Sequence, residues 1–194
     1  MQKRHGKVHR IDWNTIAPNL LSKERELRED PSAALEAVGV RGNYVIADLG
    51  CGPGYYAREL AHRAIKLYCV DSNSTMLDLA RKTVKSNRAV FLLEDAGRTS
   101  IPGSSVDIAF MANSLHDFDR NAVRKEVLRI LKPTGRIIVI DWRKEATQGG
   151  PPQRIRMSED DYLSLFSGFS IYKRFDPGQD HFGIVIRRCP AGSR

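Results

Sequence analysis

Cysteine is scarce in this 194-residue chain, and long apolar runs are missing from it. The three cysteines are odd in number and far apart, which does not fit a disulfide framework and indicates reduced thiols. No apolar run approaches the roughly 20 residues that a membrane-spanning helix needs. The basic N-terminus has no apolar core of the kind found in secretory signals. These absences predict a cytoplasmic globular protein without a transmembrane segment.

The chain also lacks a basic stretch interleaved with aromatic residues. The net charge is +8, from 31 Lys and Arg against 23 Asp and Glu. The basic residues are scattered over predicted helices and both termini and are mixed with acids, as in residues 23–30. Scattered charge of this kind is typical of a solvated surface and argues against a nucleic-acid partner. The length and the 41% hydrophobic content fit one domain, and the oligomeric state stays open.

The most informative segment is 48–54, which reads Asp-Leu-Gly-Cys-Gly-Pro-Gly. It follows an apolar run and precedes a helical pattern, so three glycines lie at a strand-to-helix turn where a ligand can approach bare backbone. A second apolar run ends at Asp71, which would place a carboxylate at the tip of the neighbouring strand. A carboxylate there can accept hydrogen bonds from ribose hydroxyls. The two features together indicate a nucleoside ligand.

The glycine spacing distinguishes between nucleoside ligands. Glycines 50, 52 and 54 are closer together than in the G-x-G-x-x-G turn of dinucleotide sites, and no Tyr-x-x-x-Lys pair is present, which argues against an NAD-dependent oxidoreductase. Asp48 would repel a pyrophosphate but suits a cationic amino acid. On these residues the chain resembles the class I S-adenosylmethionine-dependent methyltransferases, specifically the small single-domain group of ubiquinone and menaquinone biosynthesis. The resemblance extends over about residues 33–188.

The resemblance implies S-adenosylmethionine as cofactor, S-adenosylhomocysteine as product, and a set of binding residues. Asp71 would hold the ribose, and Asp95 would bind the adenine amino group. Residues 110–118 resemble the family's motif at the end of the fourth strand, but they lack the Asp and Pro of the amide- and base-methylating families, which argues against methylation of nucleobases. The implied cofactor-binding residues are Asp48, Gly50, Cys51, Gly52, Gly54, Asp71, Ser72, Met76, Asp95, Ala96, Asn113, Ser114 and Leu115.

Alternating strand and helix patterns predict an α/β fold, a Rossmann-like doubly wound sheet with helices on both faces. The resemblance implies seven mostly parallel strands in the order 3-2-1-4-5-7-6, with the last strand antiparallel. Residues 1–30 are predicted to form an N-terminal arm that could act as a lid, and 31–194 a single domain. The predicted strands are 44–48, 66–71, 89–93, 106–111, 135–141, 169–175 and 181–188, and the main predicted helices are 31–38, 55–63, 75–86, 119–131 and 160–166.

Three residues are candidates for catalysis. His116 and Asp117 follow the fourth strand, where His116 could be a base or a hydrogen-bond donor to the acceptor. The alternative is structural, with Asp117 or Asp119 capping the next helix and His116 closing the loop. His181 opens the last strand and could face the acceptor or merely finish a turn. The spacing of these residues is not that of a metal site.

A long loop leaves the fifth strand at residues 141–157 and begins at the cofactor edge. Connections of this length are often binding loops. Trp142 could form a wall of the acceptor site, and Arg143, Arg154 and Arg156 could hold an anionic acceptor or simply be solvated. Trp13 and Asn14 could close the same opening. The predicted function is in-line methyl transfer to a small-molecule acceptor at O, C or S. The alternative is a non-catalytic S-adenosylmethionine-binding or RNA-associated protein.

Overall fold

The computed structural model describes residues 17, 19–145, 147 and 149–190. Seven strands form one sheet, and helices cover both of its faces. Residues 1–16 and 18 of the predicted arm, Trp13 and Asn14 among them, lie outside the described residues. The strands are β1 Tyr44–Leu49, β2 Ala64–Asp71, β3 Ala89–Leu93, β4 Val106–Ala112, β5 Leu131–Trp142, β6 Phe169–Phe175 and β7 His181–Arg188. The α-helices are α1 Lys23–Arg28, α2 Pro31–Ala37, α3 Ala57–Arg63, α4 Ser74–Thr83, α5 Arg120–Ile130 and α6 Glu159–Leu165.

The strand order is β3-β2-β1-β4-β5-β7-β6, and β7 runs antiparallel to both of its neighbours. This order confirms the predicted fold. The direction of winding reverses between β1 and β4, which pair in parallel. In open sheets of this kind, the crevice beyond the carboxyl ends of the strands at this reversal is where ligands bind. The fold therefore places the ends of β1, β2, β4 and β5 around one opening.

Two apolar layers hold the helices against the sheet. On one face, Val127 and Ile130 of α5 and Tyr162 of α6 pack on the sheet. On the other, Leu60 of α3 and Leu77 of α4 do the same. Strands covered on both sides must be apolar on both sides, which explains the continuous apolar runs of β1 and β4.

Helix starts in the structure follow capping chemistry. The Asp119 carboxylate accepts hydrogen bonds from the backbone of Asn121 and Ala122 and so begins α5 at Arg120. Asp119, rather than Asp117, is therefore the cap of this helix. Strand β5 begins at Leu131 instead of the predicted 135, because Leu131 pairs with Val106 of β4. A register shift after that pair accommodates the segment that contains Pro133, which has no N–H to donate.

Candidate active site

The glycine turn after β1 has the backbone conformation that its sequence predicts. Gly50, Gly52 and Gly54 have φ values of +77°, +54° and +92°, where residues with a Cβ are strained. A Cβ on Gly50 would lie 2.6 Å from the Cβ of Ser114, whereas one on Gly52 would meet nothing within 4 Å. A Cβ on Gly54 would lie 3.1 Å from Val84. Gly50 therefore allows close packing inside the turn, Gly52 leaves the opening clear, and Gly54 allows contact with the end of α4.

Asp71 at the end of β2 connects this turn to the neighbouring strand. Its carboxylate accepts hydrogen bonds from the backbone N–H of Gly52 and of Asn73, each at 2.9 Å. Burial raises the pKa of Asp71, and these backbone bonds act against that rise. The carboxylate is thereby fixed at the edge of the opening, with further lone pairs available to a ligand.

A first cavity of about 310 Å³ opens beyond the ends of β1, β2 and β4. Gly54 and Leu115 are not among its described lining residues, and Leu115 is fully buried. The predicted cofactor residues that do line it are Asp48, Gly50, Cys51, Gly52, Asp71, Ser72, Met76, Asp95, Ala96, Asn113 and Ser114. The fold thus brings together eleven residues that the sequence separates by as much as 66 positions.

Asp48 is the most unusual charge in this cavity. Its side chain is 2% exposed, and its Oδ2 has no hydrogen-bond partner among the described residues. Burial, followed by the charge of Asp71, raises the pKa of Asp48 to about 8, while Arg25 acts in the opposite direction. A buried carboxyl with an unpaired oxygen is suited to a ligand that brings a positive charge.

A second cavity of about 680 Å³ adjoins the first. The two share four lining residues: Leu20, Arg25, Asn113 and Asp117. Trp142 and residues 149–152 of the loop line it, as do His116 and His181. All three catalytic candidates, His116, Asp117 and His181, therefore line one chamber next to the first cavity.

His116 lies between two carboxylates. Its Nδ1 is 3.7 Å from Oδ1 of Asp141, and its Nε2 is 3.6 Å from Oδ2 of Asp117. Burial of the ring opposes the charged form, but the contacts with Asp141 and then Asp117 outweigh it, so the pKa of His116 is raised. At 3.7 Å the Asp141 contact is an electrostatic one rather than a formed hydrogen bond.

Glu29 is a functional candidate that the sequence did not reveal. This carboxylate is 3% exposed and accepts hydrogen bonds from Arg25 at 3.0 Å, Tyr56 at 2.9 Å and Asn113 at 3.3 Å. Its Oε1 also lies 3.5 Å from Nε2 of His181. The spacing of Arg25 and Glu29 by one helical turn was the only available signal. The other partners are 27 to 152 residues away along the chain.

His181 differs from His116 in its surroundings. Its ring is 1% exposed and packs against Trp142, with ring centroids 4.2 Å apart. Burial lowers the pKa of His181, although the nearby Glu29 acts against this. The ring therefore favours the neutral form, and neither nitrogen has a hydrogen-bond partner among the described residues.

The loop arginines do not act alike. The Arg156 guanidinium is buried and donates to four backbone carbonyls, those of residues 143, 145, 149 and 151. It therefore holds the loop in shape instead of facing a ligand. Arg143 and Arg154 are not among the described lining residues of either cavity. Arg25 and Arg28, which the sequence analysis did not single out, line the second cavity instead.

The residues that the structure describes hold neither a cluster of metal-ligating side chains nor a helix suited to span a membrane. No group of three or more His, Cys, Asp or Glu side chains there is arranged to hold a metal ion. Within the same residues, none of the helices has the length and apolar character required to cross a bilayer.

Comparison with known proteins assigns the chain to a family. Residues 47–139 match the family described as "Methyltransferase domain". A Sulfolobus solfataricus protein assigned to the type 11 methyltransferases is 44% identical, with a TM-score of 0.76, over 86% of this chain and 96% of that one. An S-adenosylmethionine-dependent methyltransferase from Aquifex aeolicus, 24% identical, shares the fold with a TM-score of 0.82 over 91% of this chain and 98% of that one. The chain belongs to the class I S-adenosylmethionine-dependent methyltransferases.

Curated relatives are more distant. The demethylmenaquinone methyltransferase of Thermotoga maritima is 32% identical over 99 residues, which are 50% of this chain and 42% of that protein. The ubiquinone/menaquinone biosynthesis C-methyltransferase of Laribacter hongkongensis is 28% identical over 116 residues, 57% of this chain and 48% of that protein. The chain thus spans less than half the length of these two relatives.

Proposed function

We propose that this chain transfers a methyl group from S-adenosylmethionine to a small-molecule acceptor at O, C or S. The first cavity would hold the methyl donor. Asp48 would face its ammonium group, and Asp71 its ribose hydroxyls. Asp95 and Met76 would lie at the adenine. The unpaired oxygen of the buried Asp48 supports this placement, because a cationic ligand would supply the missing partner.

The second cavity would hold the acceptor. The observation that carries the proposal is that the two cavities adjoin and share Asn113 and Asp117 at the end of β4. S-adenosylmethionine, when bound, supplies an electrophilic methyl group, so the residues around the junction mainly need to orient the acceptor and exclude water. The names of the two curated relatives both refer to quinones, which supports an acceptor of small-molecule size. A cytoplasmic location remains a prediction from the cysteine pattern.

Calorimetric titration with S-adenosylmethionine and with S-adenosylhomocysteine tests the donor site. We expect both to bind, with NADH as the control ligand that does not. Asp71→Ala and the surface variant Asp78→Ala form a matched pair, since Asp78 is an exposed carboxylate on α4. Failure of both ligands to bind the unmodified protein, or equal affinity of the two variants, would contradict the assignment.

A further inference from the structure

We propose that the sheet carries a second binding site, for a phosphate group, formed by Arg136 of β5 and Arg187 of β7 close to the start of β1. Neither arginine lines either cavity. Arg136 and Asp141 belong to the same extended strand, in which about 3.3 Å per residue separates them by about 16 Å. The proposed phosphate site therefore lies away from the opening at the carboxyl ends of the strands, and it does not depend on the methyl transfer proposed above.

The two arginines are direct neighbours across the sheet. Arg136 is paired with Arg187 in the antiparallel ladder of β5 and β7. Side chains in such a pair point to the same face of the sheet, with Cβ atoms about 4.5–5.5 Å apart. Like charges in these positions repel each other and destabilise the pair. A negative charge between the two guanidinium groups would remove this repulsion.

The described part of the protein does not supply that negative charge. Neither Arg136 nor Arg187 forms an ion pair with an Asp or Glu within residues 19–145 and 149–190. The two guanidinium groups therefore keep both of their positive charges uncompensated by these residues.

Acids on the neighbouring elements are already paired with other cations. Glu36 of α2 lies 3.8 Å from Arg41. Asp107 of β4 lies 2.7 Å from Nζ of Lys132. Neither carboxylate is therefore left over to neutralise the arginine pair.

Aromatic rings and a carbonyl hold the arginines in place without neutralising them. The Arg187 guanidinium lies 3.6 Å from the centroid of the Tyr172 ring, and that of Arg136 lies 5.1 Å from the centroid of Tyr44. Arg136 also donates a hydrogen bond to the Gly39 carbonyl at 3.2 Å. These contacts restrict the orientation of both groups, so that less conformational entropy is lost when a ligand binds.

Both guanidinium groups keep donors available to a ligand. A guanidinium has five N–H donors. Arg187 donates no hydrogen bond to any residue that the structure describes, and Arg136 uses only part of its set on Gly39 and Tyr44. Burial lowers the pKa of Arg136, Tyr44 opposes this, and the charge of Arg187 adds to it. An anion at this position would supply the pairing that Arg136 lacks.

The geometry and the charge select the class of anion. A phosphate group is tetrahedral and presents oxygens in several directions, so it can accept hydrogen bonds from two guanidinium groups at once. Its second pKa is near 6, so it carries close to two negative charges at neutral pH and matches the two arginines. A carboxylate is planar and carries one charge, which suits a single arginine. The ligand chemistry is therefore a phosphate dianion, either free or as a monoester.

Calorimetric titration with inorganic phosphate, at constant ionic strength in potassium chloride, tests the site. We expect the unmodified protein to bind phosphate and Arg187→Gln to bind it at least about tenfold more weakly, because one of two charged donors is lost. Arg188→Gln is the matched control, since Arg188 is paired with Phe169 and lies 5.0 Å from that ring, on the other face of the sheet. It should keep the affinity of the unmodified protein. No binding to the unmodified protein, or equal losses in the two variants, would overturn the proposal.

Three further ligands distinguish the sources of the phosphate group. Glycerol 3-phosphate carries the group as a monoester, and glycerol is its control. If glycerol 3-phosphate binds as well as inorganic phosphate, the site accepts monoesters, and if it does not, the ligand is the free ion; both results support a phosphate site. Single-stranded RNA without a terminal phosphate carries only diesters. If RNA binds more tightly than both phosphates and Arg187→Gln abolishes this, the surface recognises nucleic acid and the proposal is overturned.

Thermal unfolding gives a readout that does not depend on calorimetry. Replacing chloride by phosphate at equal ionic strength should raise the melting temperature of the unmodified protein and of Arg188→Gln more than that of Arg187→Gln. Equal shifts in all three proteins would mean a general salt effect and would overturn the site. If phosphate binds as expected but S-adenosylhomocysteine does not, the proposed function fails and this inference stands.

Discussion

Replacing Asp48 with Asn should stabilise the empty protein at neutral pH while weakening binding of the methyl donor. The Asp48 carboxyl is buried and its pKa is raised from 3.8 to about 8, first by burial and then by Asp71. An acid with a raised pKa in the folded state contributes stability that is fully present below its unfolded pKa and is lost as pH rises toward the folded one. Asparagine cannot ionise, so the variant does not undergo this loss.

The size of the effect follows from the two pKa values. From an unfolded pKa near 4 to pH 7 there are about three pH units, and each is worth about 1.4 kcal/mol, which sets an upper limit of about 4 kcal/mol. Water that enters the cavity solvates the ionised carboxylate and so reduces the loss of stability below this limit. We therefore expect the difference in free energy of unfolding between Asp48→Asn and the unmodified protein to grow by about 2–4 kcal/mol between about pH 4 and pH 7.

Urea denaturation followed by circular dichroism, at several pH values, measures this difference. Asp95→Asn makes the same chemical change at an exposed carboxyl on the same cavity and serves as the control. If the difference between Asp48→Asn and the unmodified protein does not vary with pH, Asp48 is not held in a desolvated state and the reasoning is refuted.

Binding provides an independent check on Asp48. Near pH 7 the empty protein carries a mostly protonated Asp48, and an ammonium group beside it favours the ionised form. Binding of S-adenosylhomocysteine should therefore release up to about one proton. Calorimetry in two buffers with different heats of ionisation counts this proton. Asp48→Asn should release none and bind more weakly by roughly 1–3 kcal/mol.

Three further predictions concern the glycine turn and the buried carboxylates. Asp71→Ala should weaken S-adenosylhomocysteine binding by roughly 1–3 kcal/mol in calorimetry, because ribose hydroxyls lose their charged partner. Glu29→Gln should lower the free energy of unfolding by about 2–4 kcal/mol in urea, because it neutralises a buried carboxylate with several polar partners. Gly50→Ala should reduce thermal stability more than Gly39→Ala, since both have positive φ but only Gly50 has neighbours in the way of a Cβ.

The outcomes that would contradict these predictions are specific. Unchanged affinity in Asp71→Ala would remove the ribose role. Glu24 is an exposed residue of α1 and provides the control. If Glu29→Gln lowers the free energy of unfolding no more than Glu24→Gln does, the contacts of Glu29 contribute little to stability. Equal melting temperatures of the two glycine variants would show that the Ser114 side chain can move away from the added methyl group without loss of stability.

The sequence determined the individual strands and helices and the glycine turn beside the first cavity. The glycines and acids of residues 48–54 and Asp71 lie at the ends of consecutive strands, and both strand ends and glycine turns are encoded by residues close together in the chain. The sheet order, which the family resemblance implied, is confirmed, and eleven of the predicted cofactor residues line one cavity. Gly54 and Leu115 are the two exceptions. The same φ requirement applies to a glycine that packs against a helix, as Gly54 does, as to one that faces a ligand, and Leu115 is fully buried.

Only the tertiary structure decided which side chains meet at the second cavity. Glu29, directly after α1, meets Tyr56, Asn113 and His181, and no local pattern specifies which distant side chains a buried carboxylate will meet. The same holds for the buried Arg156, whose partners are loop carbonyls, and for the contact between His116 and Asp141. Periodicity and turn chemistry act over a few residues, whereas burial and electrostatic pairing depend on how whole elements pack. His116 lies between two carboxylates, whereas His181 is buried against Trp142. This difference between the two histidines could therefore be seen only in the packed structure.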